Sequence, residues 1–426
     1  MEKTCGNEAL MNVREITACR LCGGGELLPL FSLGEQFVSD FVAREDAQSG
    51  IKAPLELVLC PRCTLVQLRH TVDLTSLYAK RYWYRSGQNA TMRTALRDIA
   101  QAVENRVQLQ PGDVVLDIGS NDGTLLRSYN RQDIVRVGVE PAENLWEEGT
   151  KGLDLLVRDF WSADNFRKVA NCISLDEGQW RAKVITAIGM FYDLDDPNAF
   201  IADVAKVLAP DGLFVAQLMC LRNMVDSGDV GNICHEHLEF YSLESLDYLL
   251  TKHGLQVVGI EQNNVNGGSY RLYVRHESGF NPSARFHRMM EQEQDDGLTT
   301  QDFHSAFFRR LCANGHKCVE FIRKEVWKGK TIYGYGASTK GNAILQWYDL
   351  NDAVIPKIAD RNPEKWGKVT VGSGIPICSE EEAREDNPDF FLVLPYAFRT
   401  EFLERERAWR DRGGKFVFPL PQFEVV

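Results

Sequence analysis

Two pairs of cysteines near the start of the chain have the spacing of a metal site. Cys19 and Cys22 form one C-x₂-C pair, Cys60 and Cys63 form a second, and 37 residues separate the pairs. Each pair places two thiolates on a tight turn, and four thiolates complete the tetrahedral coordination of Zn²⁺. We predict a structural zinc ion, because no coordination position stays open for a substrate. Four unrelated buried thiols are the alternative.

The segment VVLDIGSNDG combines an apolar strand with a glycine turn. Gly119 and Gly123 allow the backbone to approach a ligand closely. The carboxylate of Asp117 or Asp122 can meet an ammonium or a hydroxyl group there. Glu140 ends the next predicted strand, where an acidic side chain accepts hydrogen bonds from a ribose diol. These residues predict a site for a cofactor that contains a nucleoside.

The spacing of the two glycines favours a methyl donor over a dinucleotide. The turn reads G-x-x-x-G and lacks the G-x-G-x-x-G fingerprint that cradles a pyrophosphate. S-adenosylmethionine contains no pyrophosphate, so we expect this cofactor, with NAD or a generic Rossmann turn as the alternative. Asn121 belongs to the same turn. Asp159 and Phe160, after a third apolar run, are candidates for contact with the adenine, or else an ordinary helix start.

The run ICHEHLEFYS brings His235, Glu236 and His237 together in sequence. A metal site is one interpretation, but the H-E-x-x-H spacing is absent and adjacent side chains diverge on a helix or a strand. We prefer a single catalytic histidine with a nearby carboxylate that sets its tautomer and basicity. Two structural histidines are the alternative.

Two more glycine turns carry candidate substrate contacts. In NGGSYRLYV the turn leads into a strand whose arginine can present its fork to an anion or a carbonyl group, or else lies on the surface of a hairpin. In YGYGASTKGNA the N–H groups of a helix start and a lysine can hold a phosphate, although the segment is not a Walker A sequence. The candidates on these turns are Asn266, Gly268, Ser269, Arg271, Tyr335 and Lys340.

Alternating strands and helices must position these residues. Between residues 114 and 276 apolar strands alternate with helical stretches, which predicts a parallel, doubly wound sheet. The last two strands are close together and predict an antiparallel pair at one edge, and a polar stretch over 82–104 predicts a helix. The expected α/β fold has a zinc-binding module (1–75), a central Rossmann-like class I methyltransferase domain (76–280) and a C-terminal Rossmann-like α/β domain (281–426, with a helical linker over 281–328).

The bulk composition agrees with a globular enzyme. The 426 residues suggest about three domains. A net charge of −12 argues against non-specific binding to nucleic acid or to an anionic membrane. The sequence has no apolar run of the length of a membrane span and no signal-peptide pattern near its start. We therefore expect a cytoplasmic protein with reduced cysteines and a small-molecule substrate. The oligomeric state is not readable.

Taken together, these motifs resemble the sugar C-methyltransferase family over nearly the whole chain. The matching segments are the four-cysteine module, YWYRSG, LDIGSNDGTLL, HEHL, NGGSYR, GYGASTKGN and KFVFPLP. The resemblance implies C-methylation of a nucleotide-diphosphate-linked 4-keto-deoxysugar, in which a base forms an enolate that attacks the sulfonium methyl group. It also implies that His237 is the base, that Glu236 lies beside it and that Tyr84 lies near the active site. The C-terminal domain would close over the nucleotide diphosphate.

Three positions depart from the family pattern. Cys234 stands where the family often has a tyrosine, and Asn266 stands where it often has a histidine. Tyr192 and Asp193 occupy a segment in which the family often carries another histidine. Changes around one pocket suggest an altered substrate or methylation position. A methyltransferase for another small metabolite, with an O-, N- or C-acceptor, is therefore the second hypothesis, and a zinc-bearing scaffold without catalysis is the third.

Overall fold

The computed structural model describes residues 13–73, 77, 82–170 and 181–426, with Asn266 described by its backbone alone. The described strands form a four-stranded, a seven-stranded and a six-stranded sheet, together with two sheets of two strands. Among the described residues, no helix combines the length and apolarity that crossing a bilayer requires. The three large sheets correspond to the three parts of the chain that the sequence predicts.

The first part of the chain is a small antiparallel assembly. Its strands are β1 (Val13–Glu15), β2 (Leu28–Phe37), β3 (Phe41–Val42), β4 (Lys52–Leu59), β5 (Val66–Leu68) and β6 (His70–Val72). Strands β2, β4 and β5 pair in antiparallel order. Alternate residues of β4, including Leu55, Leu57 and Leu59, point into a core. This alternation is typical of a sheet with one buried face.

The middle of the chain forms the seven-stranded sheet. Its elements are α1 (Ala90–Glu104), β7 (Val114–Ile118), β8 (Val135–Val139), α2 (Trp146–Gly149), β9 (Leu155–Val157), α3 (Ala163–Ala170), β10 (Ala182–Ile188), α4 (Pro197–Val207), β11 (Leu208–Met219), α5 (Leu221–Ser227), β12 (Glu239–Phe240), α6 (Leu243–Lys252), β13 (Leu255–Asn263) and β14 (Ser269–His276). The sheet order is β13-β14-β11-β10-β7-β8-β9. Strand β14 pairs antiparallel with both neighbours, as the sequence predicts for the edge, and the other pairs are parallel.

The last part contains a second doubly wound sheet. Its elements are α7 (Ala284–Asp295), α8 (Gln301–Trp327), β15 (Ile332–Tyr335), α9 (Thr339–Trp347), β16 (Ile358–Asp360), β17 (Val369–Thr370), β18 (Ile377–Ser379), α10 (Glu380–Asp386), β19 (Phe390–Val393), α11 (Arg399–Arg405), α12 (Arg407–Asp411), β20 (Lys415–Phe418) and β21 (Glu424–Val425). The sheet order is β18-β16-β15-β19-β20-β21, with only β21 antiparallel. The predicted α/β fold class is confirmed.

The three parts interlock. Strand β12 joins the N-terminal sheet by pairing with β5, and β17 pairs with β3. The side chain of Gln346 accepts from the N–H of Phe37 at 2.8 Å and donates to the carbonyl oxygen of the same residue at 3.0 Å. Long-range pairing of this kind is invisible to sequence periodicity. The predicted domain boundaries stay predictions, because the N-terminal sheet takes a strand from the middle of the chain.

The helix predicted over 82–104 is shorter than expected. It begins at Ala90, and the side chain of Asn89 caps it by accepting from the N–H of Thr91 at 2.8 Å. The preceding residues, 82–89, are irregular except for a short 3₁₀ turn. Their polar backbone groups bind the glycine turn after β7 instead, with the N–H of Ser86 donating to Asn121 at 3.0 Å. A tertiary contact therefore overrides the local helical preference.

Candidate active site and zinc centre

The four predicted zinc ligands converge at one point. The sulfurs of Cys19 and Cys63 lie 3.5 Å apart, those of Cys22 and Cys60 lie 3.4 Å apart, and no pair is joined as a disulfide. These separations are close to the edge of a tetrahedron built on zinc–sulfur bonds of about 2.3 Å. Gly24 contributes by lacking a side chain, since an added Cβ would lie 3.3 Å from the sulfur of Cys22. The donor set fits a structural Zn²⁺.

Backbone N–H and side-chain donors surround these sulfurs. The side-chain amide of Gln67 donates to the sulfur of Cys19 at 3.2 Å, and the N–H of Gly24 donates to the sulfur of Cys22 at 3.4 Å. Such donors orient thiolate ligands and offset their negative charge. Nearby, the amide of Asn198 on α4 donates to the carbonyl oxygens of Arg20 and Leu21. The zinc centre is thereby attached to the seven-stranded sheet and its helices.

The glycine turn after β7 has the backbone that a closely held ligand requires. Gly119, Asn121 and Gly123 all have positive φ, at 71°, 52° and 76°. An added Cβ on Gly119 would lie 3.0 Å from the side chain of Met190, and one on Gly123 would lie 3.0 Å from a backbone oxygen. A larger residue could therefore occupy either position only if the turn moved.

Two carboxyl groups next to this turn are buried. Glu140, at the end of β8, accepts from the N–H of Asn121 at 2.8 Å and from the N–H of Ala142 at 2.9 Å. Burial raises the pKa of Glu140 to about 7, against those two hydrogen bonds. Asp117 accepts from the hydroxyl of Thr186 at 2.5 Å, and burial raises its pKa to about 7 as well. Glu140 lines the cavity beside the turn, where a hydroxyl or ammonium donor can reach it, whereas Asp117 does not line that cavity.

Asp122 has a different place from the one its sequence position suggests. Its carboxylate accepts from the N–H of Gly87 at 2.6 Å and from the hydroxyl of Thr124 at 2.6 Å. Asn121 completes the connection, since its amide donates to the carbonyl oxygen of Tyr84 at 3.1 Å. Asp122 therefore attaches the segment 82–88 to the glycine turn and is not among the cavity-lining residues.

A cavity of about 620 Å³ opens beside the glycine turn. Four of the predicted cofactor residues line it, namely Gly119, Asn121, Glu140 and Phe160. Asp159 does not line it; its carboxylate accepts from the N–H of Phe160 at 2.7 Å, and its side chain is exposed. The cavity has the acid, the glycine turn and the aromatic wall that an adenosine moiety requires, so these residues fit S-adenosylmethionine.

The same cavity continues to the predicted reaction centre. The predicted catalytic and substrate residues that line it are Tyr84, Tyr192, Asp193, Glu236, His237, Ser269 and Lys340. They come from the segment before α1, from the loops after β10 and α5, from β14 and from α9. The methyl donor and an acceptor would thus share one enclosed space.

The HEH run lies in a turn, which separates its two histidines. The N–H of His237 donates to the carbonyl oxygen of Cys234 at 3.1 Å, closing a four-residue turn. His235 points the other way and bonds the carbonyl oxygen of Ala53 on β4 at 2.9 Å through Nε2. His235 is therefore buried against β4 and is not among the residues that line the cavity, so the structure does not bring it together with the other catalytic candidates.

His237 has the environment of a base with a defined tautomer. Its Nδ1 lies 2.7 Å from the carbonyl oxygen of Asn232, which can only accept, so Nδ1 carries the proton and Nε2 keeps its lone pair. The ring of Tyr192 packs edge-on at 4.7 Å between centroids. Burial, with a contribution from the charge of Lys340, lowers the pKa of His237 to about 3. The imidazole is therefore neutral at pH 7.

Lys340 lies in this cavity and not at an isolated phosphate turn. It is in the first turn of α9, where Ser338 caps the helix by accepting from the N–H of Gly341 at 3.0 Å. Its ammonium lies 3.7 Å from the carboxylate of Asp229 and 3.0 Å from the sulfur of Met219. The start of α9 thus places a positive charge in the cavity, close to His237.

Three other predicted substrate residues do not line the cavity, because each of them packs against or bonds another part of the protein. The guanidinium of Arg271 is 3% exposed and bonds Gln217 at 2.9 Å and Asp98 at 2.8 Å, so its fork is fully used within the protein. The hydroxyl of Tyr335 donates to Glu406 at 2.7 Å inside the C-terminal core. Gly268 packs against Asn223 of α5, whose side chain would overlap with a Cβ at this position.

Several cavity residues were not predicted from the sequence. Met219, Asp229 and Thr339 line the cavity, and they come from the end of β11, the loop after α5 and the start of α9. None belongs to a spaced motif, although Thr339 is part of the segment GYGASTKGN. Asn266, a predicted substrate residue, lies outside the residues whose side chains the structure describes.

A second cavity of about 990 Å³ adjoins the first and shares Tyr84, Glu236 and Thr339 with it. Its walls come from all three parts of the chain and include both aromatic and cationic side chains. Among them are Phe41, Trp83, Arg85, Lys365 and Lys368. Trp83 packs against Phe41 at 5.5 Å, and the ammonium of Lys368 lies 5.6 Å from the Trp83 ring.

The doubly wound sheet, the glycine turn and the acid at the end of β8 define an S-adenosylmethionine-dependent methyltransferase. Comparison with family models agrees: residues 88–260 match "Methyltransferase domain", residues 264–421 match "C-methyltransferase C-terminal domain", and residues 19–78 match "Putative zinc binding domain". The chain is also 30% identical over 424 residues to the C-methyltransferase NovU of Streptomyces niveus, covering 97% of this chain and 98% of that protein. The chain therefore belongs to the C-methyltransferase family, which confirms the family indicated by its motifs.

Two similar solved structures each align with less than half of the chain. The CcbJ methyltransferase of Streptomyces caelestis matches at a TM-score of 0.32 and 16% identity, over 43% of this chain and 90% of that chain. An S-adenosylmethionine-dependent methyltransferase of Clostridium acetobutylicum matches at a TM-score of 0.32 and 13% identity, over 45% of this chain and 93% of that chain. Scores this low carry no argument about function.

Proposed function

We propose that this enzyme methylates a carbon next to the keto group of a nucleotide-diphosphate-linked 4-keto-deoxysugar. The observation that carries the proposal is the single cavity in which the cofactor-binding turn, the neutral His237 and the ammonium of Lys340 meet. S-adenosylmethionine supplies the methyl group when it is bound. Glu140, Asn121 and Phe160 would hold it, and the groups of the protein do the remaining work on the acceptor.

His237 is the proposed base. Its hydrogen bond to Asn232 fixes the tautomer, so Nε2 can accept the proton from the carbon next to the keto group. The C–H bond breaks and its electron pair moves into the enolate. The enolate carbon then forms the bond to the methyl group while the sulfur–methyl bond breaks, and the electron pair of that bond stays on the sulfur, which leaves as the neutral thioether. An imidazole of lowered pKa is a weak base, so the enolate oxygen requires electrostatic stabilisation.

Lys340 is placed to supply that stabilisation. Its ammonium acts electrostatically on His237, Glu236 and Cys234, so it lies at the same end of the cavity as the proposed base. A fixed positive charge in a buried site stabilises a developing oxyanion more strongly than it would in water. Glu236 and Tyr84 would contact the sugar hydroxyl groups from the wall that the two cavities share.

The second cavity is the proposed site of the nucleotide diphosphate. Aromatic rings at Phe41 and Trp83 offer stacking surfaces for a base, and Lys365 and Lys368 add positive charge. Lys365 is bonded to the carbonyl oxygen of Ala337 and lies 3.7 Å from Asp360. By contrast, no carboxylate among the described residues lies within 4.0 Å of Lys368, so its charge is available to a phosphate.

Calorimetry tests the proposal. S-adenosylhomocysteine is titrated first, and thymidine diphosphate and guanosine diphosphate are then titrated into the saturated protein. We expect one nucleotide to bind, and Lys368→Ala to weaken that binding by about tenfold because one charge-assisted contact is lost. Lys415→Ala, an exposed lysine outside both cavities, is the matched control.

The outcomes separate the possible acceptors. Binding of the adduct with no nucleotide binding would favour a methyltransferase acting on another small metabolite, for which the departures at Cys234 and Asp193 provide the structural reason. Equal nucleotide affinity in Lys368→Ala and wild type would remove the second cavity from the proposal. Absence of adduct binding would contradict the placement of the cofactor itself.

A further inference from the structure

The turn that carries His237 also brings a thiol into the reaction centre. Potential ligand atoms of Cys234, Glu236 and His237 all lie within 4.8 Å of one another. Spacing along the sequence disfavours a metal at the HEH run because adjacent side chains diverge on helices and strands. The segment is a turn, however, and its first and fourth residues fall on the same side, while His235 alone points away.

A thiolate, an imidazole and a carboxylate form a ligand set that suits Zn²⁺ and other thiophilic divalent ions. Ligand atoms at bond lengths of about 2.0–2.3 Å are separated by roughly 3.3–3.8 Å in a tetrahedron. Closing the cluster from its present spread thus requires shifts of about 1 Å or less, within the range of side-chain rotation.

A second observation points to a metal independently of the cluster. Metal-binding histidines characteristically donate their other ring N–H to a carbonyl or carboxylate, which fixes the ring and its tautomer. Nδ1 of His237 makes this bond to the buried carbonyl oxygen of Asn232 at 2.7 Å. The lone pair on Nε2 is thereby presented in the form that a metal ion requires.

The surroundings permit an ion to enter and to keep an open position. Glu236 and His237 line the cavity, whereas Cys234 is 2% exposed behind them. Asp193 adds a negative charge near the cluster, and the ammonium of Lys340, whose positive charge also acts on the three ligand residues, lies 3.7 Å from the carboxylate of Asp229. Three protein ligands leave a fourth position open for water or another small ligand.

We propose that Cys234, Glu236 and His237 form a second metal site, separate from the four-cysteine centre, that binds a thiophilic divalent ion such as Zn²⁺ and blocks methyl transfer while it is bound. The block follows because the metal and the proton would compete for the same lone pair on Nε2. Only this inhibition rests on the proposed function of His237. Binding of the ion depends on the three ligands alone.

Zinc calorimetry on the protein with its four-cysteine centre filled tests the binding. Wild type is expected to bind one further Zn²⁺ per chain, with an affinity that falls at least tenfold in Cys234→Ser and in His237→Gln. Cys312→Ser, which removes an exposed thiol far from the cluster, is the control and should keep the wild-type affinity. S-adenosylhomocysteine binding by the same samples shows that each variant is folded.

Two results would overturn the site: no further Zn²⁺ bound by wild type, or equal affinity in Cys234→Ser and wild type. Methyl transfer to a thymidine-diphosphate-linked 4-keto-6-deoxyhexose, measured with and without added Zn²⁺, then tests the inhibition. A second ion that binds without slowing turnover would refute the block and the role of His237 as base together. A failed zinc titration in protein that still binds the adduct leaves the proposed function intact.

Discussion

Glu140→Gln tests the burial of the acid that holds the glycine turn. The folded-state pKa of Glu140 is raised from 4.5 to about 7, so the folded protein binds this proton more tightly than the unfolded chain. The sign follows from linkage: wild type loses stability as pH rises from about 4.5 to about 7, and glutamine, which does not titrate, removes that loss.

The magnitude follows from the same shift. One pH unit corresponds to about 1.4 kcal/mol, so the free energy of unfolding of Glu140→Gln should gain about 2 to 3 kcal/mol relative to wild type between pH 5 and pH 8. The amide also places an NH₂ group against the N–H of Asn121 or Ala142, which costs about 1–3 kcal/mol. That cost does not depend on pH and cancels in the comparison across pH.

Urea unfolding of the protein without cofactor, followed by circular dichroism at pH 5, 6, 7 and 8, measures this difference. Glu143→Gln, which changes an exposed carboxyl on the same loop, is the matched control for the substitution itself. A constant difference for Glu140→Gln would mean that its carboxyl is solvated in the folded protein, and a decreasing one would mean that hydrogen bonds outweigh burial. Either result refutes the reasoning.

The same variant should bind S-adenosylhomocysteine roughly 10- to 150-fold more weakly at pH 8, because about 1.5–3 kcal/mol of charge-assisted hydrogen bonding to the ribose is lost. Calorimetry provides the measurement. Stability that rises relative to wild type while affinity falls is typical of a binding group that is strained in the empty site. Unchanged affinity would remove Glu140 from the cofactor site.

Three further changes test other parts of the structure. Cys60→Ser should lower the zinc content below one ion per chain and destabilise the N-terminal part, as measured by atomic emission and thermal melting; unchanged zinc would contradict the four-cysteine centre. His237→Ala should lower turnover of the proposed nucleotide-linked ketosugar by about 10²- to 10⁴-fold while S-adenosylhomocysteine affinity stays within twofold, and a near-normal rate would exclude His237 as the base. Arg271→Met should lower the free energy of unfolding by about 1–3 kcal/mol and leave adduct affinity unchanged; weaker adduct binding with unchanged stability would return Arg271 to the site.

The succession of strands and helices along the chain and the nature of the cofactor were readable from the sequence. The strand over Val114–Ile118 is apolar at every position except Asp117, and a glycine turn follows it, a local pattern that specifies both a buried strand and a ligand-binding turn. Cys19 and Cys63 were predictable for a similar reason, since each lies within a short motif whose chemistry depends on spacing. Such signals need no knowledge of distant contacts.

The roles of residues outside such motifs were decided by tertiary structure. Arg271 has the sequence context of a substrate contact. In the folded protein, however, its guanidinium is hydrogen-bonded to Asp98 on α1 and to Gln217 on β11. Lys340, predicted to bind phosphate, is carried by α9 into the cavity beside His237.

The HEH run shows most clearly the difference between what the sequence determines and what the tertiary structure decides. The sequence by itself determined that an acid and two imidazoles lie within three residues. Only the fold decided that the run forms a turn, so that His235 bonds β4 while His237 joins the cavity. Side-chain direction in irregular backbone depends on the elements packed around it, and these come from β4, α5 and α9 across the chain. Local periodicity carries no information about contacts over such separations. The sequence alone therefore does not show that the thiol of Cys234 lies beside Glu236 and His237.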